Sequence, residues 1–398
     1  MHISQLIELH ELAKKEGQKY DKKRSLYKTL IAETGKHFTG IVGPRGAGKT
    51  VILKQLASEN QNAFYLSADV LEPETDLFSV IRQLTEDFKF KTFLIDEIHF
   101  LPSHSAILKK IYDFLDVRVF FTSSVALAMH SSAHDLSRRV RLLPLHYLSF
   151  REYLRLARDI DLPKLDLASL TTRQWQAEHL REGHYWNKYL TGGQLPFSFG
   201  EPNPMPLLKN IIEKIISRDI PSVLRLAVDE MECFRKLMNF IGRSAVDGIN
   251  YSSISQNIGI TKYKAEQYVN CLEKAFVLHQ VFPLGTNVLK EPKILMAPPC
   301  RLLYRDYNDA IGGLREDFCA EMMKQAGIEF HYLKSVRGAK TPDYLVANGT
   351  EHLVLEIGGK GKGREQFKGI KTEHKLIFAH TDMPDEKRLP LFLLGYLS

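Results

Sequence analysis

The sequence predicts an α/β protein built on a mostly parallel sheet, with a second α/β domain at its end, and three observations predict it. Brief β-branched or aromatic runs alternate with helical patterns over roughly the first third of the chain. A glycine-rich loop joins the first of those runs to a helix. Short strand-like runs return over the last hundred residues, after a long helical stretch. Strands that alternate with helices pair in parallel and are covered on both faces.

The elements follow in order. A helical opening over residues 3–33 leads into a short apolar strand at residues 38–42. A glycine loop comes next, then a helix over residues 50–58. Further strands are expected at residues 63–67, 92–96 and 117–122. From Ser149 to Gly242 the pattern is helical, interrupted by a Gly- and Pro-rich stretch at residues 191–206. Residues 237–283 hold a compact three-helix pattern that ends in a short strand. The closing strands are expected at residues 330–333, 343–346, 352–357 and 375–379.

Composition bounds the class. With 398 residues, 44% hydrophobic and 25% charged, the chain reads as a globular protein of two or three domains. It has no apolar run of the ~18 residues that a membrane-spanning helix needs. Its first residues lack the basic start and apolar core of a signal peptide, and Cys233, Cys271, Cys300 and Cys319 form no CxxC pair. A cytoplasmic protein with reduced thiols and no membrane partner is expected. The net charge of +7 is concentrated. Residues 14–28 carry seven Lys or Arg against two acids, and residues 360–375 carry six against two. Such clusters serve either as solvated helix faces or as contacts for nucleic acid phosphates.

The glycine loop is specific. Gly43, Pro44, Arg45, Gly46, Ala47, Gly48, Lys49 and Thr50 fit G-x-x-x-x-G-K-[ST], with a strand before the motif and a helix, entered at Val51, after it. Glycines let successive backbone N–H groups turn toward phosphates at the positive end of the helix. Lys49 is expected to reach the β- and γ-phosphates of ATP, and Thr50 to place its hydroxyl on Mg²⁺. The strand at residues 92–96 ends in Asp96 and Glu97. Asp96 is expected to hold the metal through water, and Glu97 to orient and deprotonate the attacking water. His99 has no partner at ligand spacing and receives no role. The run Val119-Phe120-Phe121-Thr122-Ser123-Ser124 places small hydroxyls at a strand end. Ser123 or Ser124 would position the lytic water there, and Ser124 is the residue assigned. Arg138 and Arg139 follow, and Arg139 is expected to act as an arginine finger across a subunit boundary.

The middle of the chain reads as a winged helix. Residues 251–257 form one short helix, Ile258-Gly259-Ile260 the turn, residues 261–275 a second helix and residues 277–282 a wing strand. Thr261, Lys262, Lys264 and Gln267 would face a DNA groove. The alternative is a winged helix used for protein packing, because the second helix carries three lysines against two glutamates.

These motifs bring a family into view. The chain resembles the prokaryotic AAA-type ATPases whose C-terminal half is related to PD-(D/E)xK nucleases. The similar stretches are GIVGPRGAGKT, TFLIDEIH, VFFTSS, LSRRVRLLPLHYLSFREYL, YLTGGQLPF, IIEKIISRDI and LPLFLLGYL, spread over the chain from Gly40 onward. The resemblance implies that Gly192, Gly193 and Pro196 form a lid turn near the nucleotide. It also implies a second metal site at Glu316, Asp343 and Glu356, where Thr341-Pro342-Asp343 keeps the PD dipeptide. The lysine of E-x-K is missing, because Gly358 stands two residues after Glu356. Lys360 or Lys362 would substitute from the following loop, with Gln366 as a further auxiliary residue. An active nuclease and a lost one that keeps the fold for binding are both compatible with this pattern.

The expected organisation is an N-terminal helical segment (1–35), an AAA-type P-loop ATPase core (36–148) and a helical lid region (149–206). A winged helix-turn-helix domain (207–290) and a PD-(D/E)xK nuclease-like domain (291–398) follow. The expected function is ATP-driven remodelling or translocation of duplex or branched DNA by a homo-oligomeric ring, a hexamer if it is of the branch-migration type. The alternative is an ATP-gated signalling or defence switch with a degenerate or ATP-regulated nuclease domain.

Overall fold

The structure, a computed structural model, describes residues 3–72, 75–101, 103–124, 136, 138–224, 226, 228–285, 291–333, 341–348, 351–359, 367 and 374–398. The chain folds as two compact units, and their boundaries cross the sequence more than once. One comprises Met1–Tyr147 with Ser217–Arg225, and the other Leu148–Ile216 with Leu226–Ser398.

In the first unit, helices α1 (Ile3–Gly17) and α2 (Ser25–Ala32) precede β1 (Phe38–Val42). The helical opening expected over residues 3–33 is made of two helices. Next come α3 (Lys49–Glu59), β2 (Ala63–Ser67), α4 (Leu77–Phe88) and β3 (Thr92–Asp96), then α5 (His104–Phe114), β4 (Arg118–Ser123) and β5 (Val140–Pro144). The strands order as β2-β3-β4-β1-β5, and every pairing is parallel. All five residues of β1 are buried, as a central strand of a sheet covered on both faces requires. Strand β5 was not among the expected strands. It is an edge strand of mixed exposure that stops at Pro144, so it lacks the apolar run that announces its neighbours.

A buried cluster that includes Ile41, Ile52, Leu53, Tyr65, Leu94 and Phe120 holds α3 against this sheet. The basic stretch between α1 and α2 is partly structural. Arg24 is buried and donates through Nη1 to the carbonyl of Ala47 at 2.6 Å and through Nη2 to that of His146 at 2.9 Å. One charge of the cluster thus supports the glycine loop instead of facing solvent.

In the second unit, Ser149 caps the Phe150–Arg158 helix by accepting the Glu152 N–H at 3.2 Å. Phe150 packs edge-on against Trp186, Tyr189 and Tyr396, which joins the LSFREYL stretch to the closing LPLFLLGYL stretch in one core. The helices Tyr251–Ile258 and Lys262–Lys274 meet at Gly259, and Thr261 caps the second by accepting the Lys264 N–H at 3.2 Å. An antiparallel pair, β6 (Leu278–Val281) and β7 (Lys293–Met296), follows. The Tyr307–Gln325 helix then leads into β8 (Phe330–Tyr332), β9 (Tyr344–Asn348), β10 (Glu351–Gly358), β11 (His374–Ala379) and β12 (Arg388–Pro390). These last strands form a mixed sheet in the order β12-β11-β10-β9-β8. Its β10-β11 and β11-β12 pairs are parallel, and its β8-β9 and β9-β10 pairs are antiparallel. No helix among the described residues is long and apolar enough to cross a membrane.

Candidate nucleotide site

Residues 43–48 connect the carboxyl end of β1 to the amino end of α3, the edge at which open α/β sheets bind ligands. Gly48 has φ of 94°, a left-handed conformation that L side chains rarely adopt. At Gly43 a Cβ would lie 2.1 Å from the carbonyl oxygen of Leu145, so only glycine fits between loop and neighbouring chain. Lys49 is buried at the start of α3, and its Nζ donates to the carbonyls of Gly43 at 2.7 Å and Pro44 at 3.0 Å. Burial brings its pKa down to about 8, against the opposing pull of Glu97 and Asp96.

The carboxyl end of β3 faces this loop. Asp96 is buried, and its Oδ2 accepts the Tyr65 hydroxyl at 3.0 Å while its Oδ1 accepts the Thr122 hydroxyl. The Thr50 hydroxyl is close enough to this carboxylate to favour its charged form. Burial and the adjacent Glu97 push the Asp96 pKa up, and these hydrogen bonds pull it back. A serine or threonine hydroxyl beside a buried carboxylate is the hard-oxygen donor set that suits Mg²⁺, so Thr50 and Asp96 fit that ion.

Glu97 sits in left-handed backbone with φ of 50°, uncommon for a non-glycine residue and found where a site holds it. Its N–H donates to Thr122 Oγ1 at 2.8 Å, and its Oε2 accepts from the N–H and hydroxyl of Ser124, each at 3.3 Å. Its Oε1 lies 3.7 Å from Arg45 Nη1. His99 Nδ1 stands 3.3 Å from Glu97 Oε2 and 3.2 Å from the Ser123 hydroxyl. Burial lowers the His99 pKa to about 4, so this ring is neutral at physiological pH.

The structure therefore gathers Lys49, Thr50, Asp96, Glu97 and Ser124 at one edge of the sheet, with Gly43, Pro44, Arg45, Gly46, Ala47, Gly48 and Val51 in the loop and the helix it enters. Arg139 is engaged elsewhere. Its Nε and Nη2 donate to Asp113 at 2.9 and 3.0 Å, a bidentate pair on the surface of its own chain. Arg138 is exposed. Gly192, Gly193 and Pro196 belong to the other unit.

Sequence reasoning missed four residues. Tyr65 and Thr122 enter the site because β2 and β4 flank β3, a neighbourhood that strand order alone reveals. His99 lacked a metal-ligand partner and has a hydrogen-bonding role instead. Asp219 arrives from Ser217–Arg225 and takes two hydrogen bonds from Arg45. It lies in the stretch IIEKIISRDI, which the family resemblance marked without giving a reason.

Two family models match parts of the chain. The family described as "AAA domain" matches residues 35–154, and one described as "Domain of unknown function (DUF8612)" matches residues 184–298. The chain thus holds a P-loop ATPase domain of AAA type, followed by a domain of unknown function. The uncharacterized protein MJ1637 of Methanocaldococcus jannaschii is 26% identical over 88% of this chain and 83% of its own length. Among solved structures, the Walker-type ATPase PABY2304 of Pyrococcus abyssi is similar at a TM-score of 0.45 and 13% identity, covering 72% of this chain and 97% of that one. The ORC1 protein of Aeropyrum pernix in complex with DNA is similar at 0.29 and 13%, covering 77% and 92%.

In the second unit, Glu316 and Asp343 lie near each other, and the Ile357 N–H donates to Asp343 Oδ2 at 2.7 Å. Burial, with Glu316 and Glu356 nearby, pushes the Asp343 pKa up to about 7. Lys360, Lys362 and Gln366 lie outside the described residues. Thr261, Lys262, Lys264 and Gln267 are all exposed on one helix end. Lys262 Nζ is 2.6 Å from Glu291 Oε1, and Lys264 Nζ is 3.2 Å from Glu230 Oε1.

Proposed function

We propose that the chain binds ATP with Mg²⁺ and hydrolyses it, and that turnover remodels or translocates DNA within a homo-oligomeric ring. One observation carries the catalytic part: Lys49, Thr50, Asp96 and Glu97 converge at one edge of a parallel sheet, with Thr122 touching both acids. Lys49 would hold the β- and γ-phosphates. Thr50 and Asp96 would hold the ion, which neutralises phosphate charge when bound. Glu97, oriented by Ser124 and Thr122, would accept the proton of the attacking water. Arg139 would serve a neighbouring subunit. Its pair with Asp113 lies at the surface, where solvent screening keeps such pairs weak, so exchange of partners is cheap.

The DNA part is supported by the helix–Gly259–helix–strand arrangement of residues 251–281, which fits a winged helix. The closing mixed sheet, with Asp343 immediately before β9 and Glu356 on β10, is in keeping with a nuclease-like fold. The pairing of Lys262 and Lys264 with glutamates favours a second reading, an ATP-gated signalling or defence switch in which this helix packs against protein. Rates of ATP turnover with single-stranded, duplex and four-way DNA, with assembly mass recorded alongside, separate the two. Stimulation by DNA in an assembled ring supports the motor, and a slow, DNA-indifferent rate supports the switch.

A further inference from the structure

A nuclease-like site at Glu316, Asp343 and Glu356 would call for a divalent ion, and the residues present do not fit one. Among the described residues, no three carboxylate, imidazole or thiolate groups converge as a metal site needs. A lysine is there instead. Lys293, on β7, lies with its Nζ 2.5 Å from Glu316 Oε2 and 2.9 Å from Asp247 Oδ1. The same Glu316 oxygen accepts the Tyr344 hydroxyl at 2.8 Å, and the ammonium stands 5.6 Å from the Tyr344 ring centroid. The Lys293 side chain is only 10% exposed.

We propose that the Lys293 ammonium is the resident cation of this carboxylate cluster, so that the acidic centre of the second unit is closed by its own lysine and takes no divalent metal. A largely buried carboxylate such as Glu316 needs a counter-charge, and a buried ammonium is retained where a carboxylate pairs with it. Burial disfavours the Lys293 charge, yet Glu316 and Asp247 outweigh it and its pKa is raised. Glu316 then has one oxygen committed to two donors, and Asp343 has one committed to the backbone of Ile357. A divalent ion would have to displace those donors. The lysine that the E-x-K pattern would place at position 358 is thus answered from a strand that precedes the acids. This inference is independent of the ATPase reading, and its test uses no nucleotide.

The test is Mn²⁺ titration of the full chain, followed by electron paramagnetic resonance, with thermal melts alongside. All samples carry Lys49→Ala to silence the P-loop. The chain with Lys293 intact should take up no Mn²⁺ saturably, and its melting temperature should not move. Lys293→Met should melt several degrees lower, take up one Mn²⁺ per chain and recover stability with it, and adding Asp343→Asn should abolish that uptake. Lys293→Arg should behave like the parent. Saturable uptake by the parent that Asp343→Asn removes overturns the proposal. So does a Lys293→Met chain that matches the parent in melting and ignores Mn²⁺. If Lys293→Met fails to fold, the parent and its Asp343→Asn variant still decide the question.

Discussion

Arg45 grips Asp219 with two hydrogen bonds, Nε to Oδ2 at 2.5 Å and Nη2 to Oδ1 at 2.7 Å, while its third nitrogen faces Glu97. The loop that would cradle phosphate is therefore tied to a carboxylate that is 1% exposed and arrives from 174 residues further along the chain. Breaking such a pair from one side strands a charge. Asp219→Ala should destabilise the first unit by about 3 kcal/mol, the cost typical of a buried ion left alone. Arg45→Ala with Asp219→Ala should cost less than the sum of the two single changes. Urea melts of the cycle measure this, and additive effects would show that the two residues do not act together.

The base assignment makes a sharper demand. Lys49→Ala should abolish nucleotide binding. Glu97→Gln should keep ATP bound yet lose about 10²–10⁴ in turnover, because Thr50, Asp96 and Lys49 remain while the proton acceptor is gone. Fluorescent-nucleotide binding and phosphate release, measured on the same preparations, separate the two effects. Wild-type turnover in the Gln variant would remove Glu97 from the role.

Acid–base linkage offers an independent check. In the free protein burial holds the Lys49 pKa at about 8. A phosphate alongside would favour the ammonium and raise that pKa, so above pH 8 the complex holds more protons than the free protein. Binding should then take up a proton between about pH 8 and 10, and affinity should fall as pH rises through that window. At about pH 6.5 the lysine is charged in both states and no uptake is expected. Calorimetry in buffers of different ionisation enthalpy reads the difference directly. A buffer-independent enthalpy at about pH 9 contradicts the assignment.

DNA contact by the Lys262–Lys274 helix should be electrostatic. Lys262 and Lys264 are exposed, and their glutamate partners hold them weakly enough for DNA phosphates to compete. Replacing both with alanine should reduce the slope of log affinity against log salt by about 0.9 per phosphate, close to two in all. An unchanged slope would assign this helix to protein packing.

The residues of the candidate nucleotide site were largely legible in the sequence because their spacing is local. A phosphate loop needs its glycines, lysine and threonine within eight positions, and the acidic pair ends a strand whose apolar run is unmistakable. What escaped is set by distance along the chain. Tyr65 and Thr122 touch Asp96 only because β2 and β4 lie on either side of β3, and Asp219 is joined to Arg45 across 174 positions. Lys293 escaped for a related reason. The motif directs attention to residues following Glu356, and the ammonium beside Glu316 comes from β7 instead. Strand β5 is invisible to periodicity because an edge strand need not be apolar.

Arg24 bears on where the structural border of the AAA domain falls. The family match begins at residue 35, yet the guanidinium that braces the carbonyl of Ala47 lies eleven positions upstream of that border. His10, whose Nδ1 accepts the Tyr65 N–H at 3.1 Å, lies further upstream still, and Asp219 falls beyond the match at its other end. A fragment cut at the borders of similarity would keep every motif residue and lose the struts beneath them. The compact unit here is a discontinuous piece of chain, Met1–Tyr147 with Ser217–Arg225, whose two parts no single excision can deliver together without carrying the residues between them.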